Sequence, residues 1–255
     1  MKIASWNVNS LNVRMPHLSQ WLREAQPDIV ALQETKLEDA RFPDSELAAL
    51  GYRSVFCGQK TYNGVALLSR VPFTSECVTA IPDFEDPQKR VLAATVGDLR
   101  IVDLYVVNGE KVGSEKFEYK LRWLAAVREW LRAELQQHPN LIVLGDFNIA
   151  PDDRDVHDPK RWREKILCST PERDALRSLL GLGLHDSFRL FNDEAGHFSW
   201  RDYRLEAFRR GWGLRIDLVL ISEALKARAT AAGIDTTPRT WERPSDHTPV
   251  WVQID

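Results

Sequence analysis

In the stretch NLIVLGDFNIAP, residues 140–151, four apolar residues (Leu141 to Leu144) run through Gly145 into Asp146 and Asn148, set either side of Phe147. A segment with the composition of a buried strand thus ends in a carboxylate and an amide. Alone, a G-D-x-N sequence reads equally well as an Asx-type turn closing a strand. Five further segments carry the same kind of group at an apolar edge, however. SWNVN ends at Asn7, DIVALQETK delivers Glu34 after Gln33, and LYVVNG supplies Tyr105 and Asn108. GLRIDLVLIS places Asp217 ahead of an apolar run, and RPSDHTPVWV places Asp246 and His247 just before the last one. Singly, each has an ordinary structural explanation: a solvated strand end, a turn carboxylate, a surface pair, a hydrogen-bonded core tyrosine. Together they predict one oxygen-rich, acidic pocket at a common edge of packed sheets.

Such a pocket suits phosphoester hydrolysis. Hard divalent cations prefer carboxylate and amide oxygens, and Mg²⁺ takes one or two carboxylates plus water and substrate phosphate. A single histidine without grouped cysteines argues against zinc. An acidic pocket repels phosphate unless a cation bridges the two; Mg²⁺ polarises the phosphoryl oxygen and steadies the leaving oxyanion. Asp146 is then placed to orient and deprotonate water, while Asn148, Asn108 and His247 stabilise charge on the phosphorane oxygens. Asp217 can fix the His247 tautomer and favour its charged form.

The elements that must position these groups are strands, with fewer helices between them. Strand-length apolar segments recur at 2–6, 28–33, 64–69, 91–96, 100–107, 141–147, 216–221 and 250–254. Leu18, Trp21, Leu22 and Ala25 share a face of a helix stopped by Pro27. A longer helix spans about 114–137 with Phe117, Leu121, Leu124, Val127, Leu131 and Leu135 as its stripe, and a third covers about 171–180. This mixture predicts sheets covered by helices, in one domain over residues 1–255. The stretches 151–170 and 196–215 are long for structureless connections and are expected to be functional loops.

Composition narrows the class. At 255 residues and 44% hydrophobic content the chain can bury a sizeable core. The start MKIASWNVNS lacks the apolar core of a signal peptide, and no run is long enough to span a bilayer, which leads us to expect a soluble, cytoplasmic protein. Cys57, Cys77 and Cys168 are odd in number and far apart, which suits a reducing compartment. With 34 basic against 37 acidic residues there is no global basic field, so a polyanion must be gripped by local patches. Two such patches exist. PKRWREK, residues 159–165, has four basic residues, including Arg161, around Trp162. Residues 199–215 carry five arginines, among them Arg201, Arg209 and Arg210, interleaved with Trp200 and Trp212. Arginines with aromatics can hold phosphates and stack on bases.

The segments SWNVNSL, LQETK, YVVNGE, LGDFNIAP, FSWRDYR, GLRIDLVL and RPSDHTPV, in this order from residue 3 to 254, resemble the ordered motifs of the exonuclease III type of the endonuclease/exonuclease/phosphatase superfamily. The resemblance implies a four-layer α-β-β-α sandwich, two packed mixed β-sheets flanked by helices. It implies a Mg²⁺-dependent DNA repair nuclease, with Mn²⁺ as a substitute. Its activities would be 3′-to-5′ exonuclease, 3′-end trimming and abasic-site cleavage on duplex DNA with abasic sites, nicks, gaps or blocked 3′ ends, carried out by a monomer. Carried over by position, Glu34 is the principal metal ligand with Asn7 beside it, and Asp146, Asn148, Asp246 and His247 complete the metal side. Asp146 activates water, Tyr105, Asn108 and Asn148 contact the phosphate, and Asp217 pairs with His247. Trp200 walls the pocket for a sugar lacking its base.

Three positions depart from the family pattern: Val107 replaces a common proline, Arg201 a second aromatic, and Leu167 a residue that is small in relatives proficient at abasic sites. A bulky Leu167 narrows the path for an extruded sugar, so 3′-terminal processing is expected to outrank internal abasic cleavage. A small-molecule phosphoesterase of the same superfamily is the alternative, but it has no use for the arginine-aromatic loop. A catalytically dead binding protein would lack a metal or water-activating residue, and none is missing.

Overall fold

The computed structural model describes residues 1–255. Its strands, in chain order, are β1 (Lys2–Asn7), β2 (Ile29–Gln33), β3 (Arg53–Cys57), β4 (Val65–Ser69), β5 (Val91–Val96) and β6 (Leu99–Tyr105). They continue with β7 (Leu141–Asp146), β8 (Leu184–Asp186), β9 (Asp217–Ser222), β10 (Ala229–Ile234) and β11 (Val250–Ile254). The helices are α1 (Leu11–Ala25), α2 (Asp44–Ala49), α3 (Glu115–Gln137), α4 (Pro159–Trp162), α5 (Thr170–Leu180), α6 (Ser187–Phe191) and α7 (Glu223–Lys226). Six strands form one sheet, in the order β10-β11-β1-β2-β4-β3, and five form the other, in the order β5-β6-β7-β9-β8. Each sheet is mixed, with one parallel pair, β1–β2 and β6–β7.

Side-chain alternation explains the layers. Along β7, Ile142 and Leu144 enter the core between the sheets, whereas Leu141 and Val143 pack with Trp123, Leu124, Val127 and Leu131 of α3. In β2, Ile29 and Ala31 face inward, while Val30 and Leu32 pack with Leu18, Trp21 and Leu22 of α1. Both sheets are therefore covered on both faces, which is why their central strands read as unbroken apolar runs. The architecture is the expected four-layer sandwich.

The same alternation delivers the polar residues. Ile3 in β1, Ile29 and Ala31 in β2, Ile101 in β6, Ile142 and Leu144 in β7 and Val219 in β9 all belong to the inter-sheet core. Counting in twos along each strand leads to Asn7, Gln33, Tyr105, Asp146 and Asp217 on that inward face. Register aligns them further: Asn7 lies opposite Gln33, and Tyr105, Asp146 and Asp217 stand abreast on three adjacent strands. Gly145 permits this close pairing, because a Cβ there would sit 1.9 Å from the Leu104 carbonyl oxygen.

Some elements differ from expectation. Strands β3, β8 and β10 carry no clear apolar period and escape a pattern-based reading; ATAAGI of β10 is half-buried almost throughout. Helix α1 reaches back to Leu11 through Pro16, where its exposed residues hide the stripe. Stretch 151–170, expected as a functional loop, contains α4 and a 3₁₀ turn at Asp153–Asp155. No helix is long and apolar enough to cross a membrane.

Candidate active site

Asn7, at the end of β1, is fully buried and ties the two sheets together at their edge. Its Nδ2 donates to Glu34 Oε1 and to Asp146 Oδ2, each at 2.9 Å. Glu34 follows β2 in a left-handed conformation (φ 52°), which turns its carboxylate back toward the seam. Lys36 lies 2.9 Å from the other Glu34 oxygen and donates to Asn9 Oδ1. Burial pushes the Glu34 carboxyl up, but Lys36 and the Asn7 amide outweigh it and hold the group below its ordinary value.

At Asp146 the Asx turn is present but occupies only one of the two carboxylate oxygens. Oδ1 accepts the backbone N–H of Asn148 at 2.9 Å, an Asx turn, which leaves Oδ2 aimed into the site. Burial pushes Asp146 up to about 7, against the pull of His247. Asn148 has a left-handed backbone, φ 49°. Its Nδ2 donates to the Val106 carbonyl, and its Oδ1 accepts from Asn108 Nδ2 at 3.1 Å. The Tyr105 hydroxyl is pushed well up by burial and then by the charges of Glu34 and Asp146, so it remains a proton-bearing donor.

His247 is buried, with Nδ1 donating to Asp217 Oδ2 at 2.9 Å and Nε2 3.7 Å from Asp146 Oδ2. Asp217 is fixed in turn by the Ser199 hydroxyl at 2.6 Å. Burial favours neutral imidazole, but Asp217 and then Asp146 outweigh it and push His247 up to about 10. The folded value therefore lies above the ordinary 6.5: stabilisation from the pair is complete below pH 6.5 and is lost as pH rises toward 10. In the metal-free protein, ring-nitrogen NMR is expected to show His247 charged at neutral pH and titrating near pH 10. Asp217→Asn should return that titration toward neutrality; wild-type deprotonation near 6.5 would contradict the pairing.

Glu34, Asp146 and His247 each offer a ligand atom within 4.8 Å of one another. The oxygens of Glu34 and Asp146 suit a hard cation, and the Lys36 ammonium already shows that positive charge is favoured at Glu34. While protonated, His247 has no lone pair for a metal. Asp246 lies outside this group, its oxygens accepting from Asn9 Nδ2 at 2.9 Å and Trp200 Nε1 at 3.0 Å. Burial raises its carboxyl, but His247 and these hydrogen bonds hold it below the ordinary range.

Trp200, bridged to His247 along the backbone, also walls a cavity of about 690 Å³ with His157, Trp162 and Trp212, rimmed by Arg161. His157 and Trp212 stack with centroids 5.6 Å apart, and Arg210 lies over Trp212 at 4.9 Å. Arg209 is on the surface, its side chain 83% exposed. Arg201, half-buried, lies over Phe198 and Phe208 and donates to the Phe198 carbonyl. Leu167 does not line the cavity but lies beneath it, in a buried cluster against which Trp162 and Trp200 pack.

Several supporting residues have no sequence signal of their own. Ser199 holds Asp217, and Ser245 donates to the Asn7 carbonyl while accepting the His247 N–H, which clamps the last turn onto β1. Only the F-S-W and P-S-D contexts hinted at either serine.

Residues 4–247 match the endonuclease/exonuclease/phosphatase family. The chain belongs to that family. Among its curated relatives is exodeoxyribonuclease III of Haemophilus influenzae, 37% identical with both chains covered completely. The solved 3′ phosphatase NExo from Neisseria, bound to a product DNA hairpin, is 47% identical over 100% of this chain and 99% of the other, with a TM-score of 0.98. An AP endonuclease from Archaeoglobus fulgidus is 33% identical over 100% and 99%, with a TM-score of 0.96. The two-sheet sandwich is the fold these relatives share.

Proposed function

We propose that this chain is a Mg²⁺-dependent DNA repair nuclease of exonuclease III type, acting as one monomeric domain over residues 1–255. Its substrates are the 3′ ends of duplex DNA, blocked or unblocked, with internal abasic cleavage secondary; its three free cysteines suit a reducing cytoplasm. The observation that carries the proposal is the joining of the Glu34–Asp146–His247 cluster to an aromatic cavity rimmed by arginine, through Trp200, which is bridged to His247 along the backbone. Mn²⁺ serves as a substitute metal.

Glu34 is the principal residue to hold the metal, with Asp146 beside it. When bound, the ion supplies Lewis-acid polarisation of the phosphoryl oxygen and neutralises developing charge. Asp146 accepts a proton from the attacking water through Oδ2, the oxygen that the turn leaves aimed into the site. Asn108, Asn148 and the Tyr105 hydroxyl donate to the phosphate oxygens, and imidazolium His247, kept charged by Asp217, adds a fixed positive group. Arg161, Arg209 and Arg210 grip the DNA backbone, and Trp162, Trp200 and Trp212 meet the terminal nucleotide. Contacts of this kind favour recognition of ends and lesions over sequence.

The test is a comparison of initial rates on a 3′-phosphate at a nick and on an internal abasic site. The wild type is expected to favour the 3′-phosphate. Leu167 has φ 71°, a conformation glycine adopts freely, so Leu167→Gly can be accommodated in the backbone. By emptying the buried cluster on which Trp162 and Trp200 pack, and so letting those two walls settle, that variant should raise abasic-site cleavage about tenfold relative to 3′-phosphate release, the scale of one packing contact. Equal wild-type rates on the two substrates would remove the preference.

A further inference from the structure

Lys120 lies on the buried face of α3, in a stripe that otherwise carries Phe117, Trp123, Leu124 and Val127. Neither its side chain nor that of Glu172 on α5 has any exposure. The ammonium spends its three donors on the Asn108 carbonyl (3.2 Å), the Asn148 carbonyl (2.7 Å) and Glu172 Oε1. Glu172 then reaches the next segment. Its Oε1 also accepts the Leu167 N–H at 3.1 Å, and its Oε2 accepts the Ser169 N–H and hydroxyl. The Leu167 carbonyl in turn accepts the Ala150 N–H at 2.8 Å. One buried pair therefore holds the backbone of both asparagines assigned to the phosphate and of the left-handed residue beneath the cavity. Gly109 makes room for it, since a Cβ there would meet the Lys120 stem at 3.1 Å and Ile166 at 3.0 Å.

Buried ion pairs are weak stabilisers, and well-packed apolar residues of similar volume often replace them without loss. Stability alone does not explain a lysine in this core. We propose that Lys120 is a positioning residue for the hydrolysis: it holds the Asn108 and Asn148 amides in register with Asp146. Through Glu172 it also holds Leu167, which couples turnover to the choice between terminal and internal substrates. The coupling rests on the DNA phosphoesterase reading above; the placement of the asparagines does not.

The experiment uses the full-length protein with saturating Mg²⁺. Lys120→Met leaves the Glu172 charge uncompensated and is apt to unfold, so the double variant Lys120→Met/Glu172→Met, which removes both charges, is made alongside Lys120→Arg. The double variant should melt cooperatively and lower kcat on the 3′-phosphate about a hundredfold, the scale of a 1 Å misplacement, while KM for DNA changes less than threefold. Its preference for the 3′-phosphate over the internal abasic site should fall about tenfold. Lys120→Arg, which keeps the charge and donors, should recover most of kcat. A folded double variant with wild-type kcat and preference, or with its whole loss in KM, overturns the proposal. A crystal structure of the double variant provides a readout independent of substrate. Opening of the Asn108–Asn148 contact is expected, and an unmoved pair overturns the placement whatever wild type proves to hydrolyse.

Discussion

Asp146→Asn is expected to reduce turnover about a thousandfold, within the range for loss of a general base, while leaving DNA affinity within about threefold of wild type. The substitution keeps the side-chain shape and an oxygen for the Asn148 N–H, so the turn after β7 survives. It removes the group that accepts the proton of water but none of the arginines or tryptophans that grip DNA. The effect on stability should depend on pH. Burial raises Asp146 to about 7 from an ordinary 3.8, so ionisation destabilises the metal-free protein progressively as pH rises between these values. The variant is spared that cost but loses the Asn7 hydrogen bond to the replaced oxygen, so without metal its melting temperature relative to wild type should rise between pH 4 and pH 8. Single-turnover rates and a fluorescence-anisotropy titration check both halves. A near wild-type rate would deprive Asp146 of its role as base, and lost binding would place it in the grip instead.

Glu34→Ala should raise the Mg²⁺ concentration for half-maximal rate by on the order of a hundredfold, because metal affinity is sensitive even to groups one shell further out. The carboxylate joins the two sheets through Asn7 and carries the Lys36 ammonium, so its loss removes the local negative charge and frees a competing cation. Calorimetric Mn²⁺ binding provides a second measurement that does not depend on activity. An unchanged metal titration and an unchanged Mn²⁺ affinity would exclude Glu34 from the ligand set.

Much of the site could be read from the chain because it is built from strand ends. An apolar run that stops at a carboxylate or amide is visible in sequence, and alternation fixes the face on which each group lies. Asn7, Tyr105, Asp146 and Asp217 were legible for that reason. Lys120 was not, since a lysine in a helix normally signals a solvated face, and only the packing of α3 against α5 shows it buried beside Glu172. Arg201 and Arg209 look alike in sequence, yet two aromatic rings draw one inward while the other stays in solvent. Ser199, Ser245 and Asn9 act through hydrogen bonds between segments remote in the chain, which no local pattern records. Likewise β10, with little side-chain volume in ATAAGI, takes its structure from pairing with β11 rather than from its own periodicity.

The most direct measurement of the account is anomalous diffraction from crystals of the Asp146→Asn variant grown with 3′-phosphate DNA and Mn²⁺. A peak within coordination distance of the Glu34 carboxylate and of a phosphate oxygen is the predicted result. Bound DNA with no metal at Glu34, or metal held only elsewhere, would contradict it.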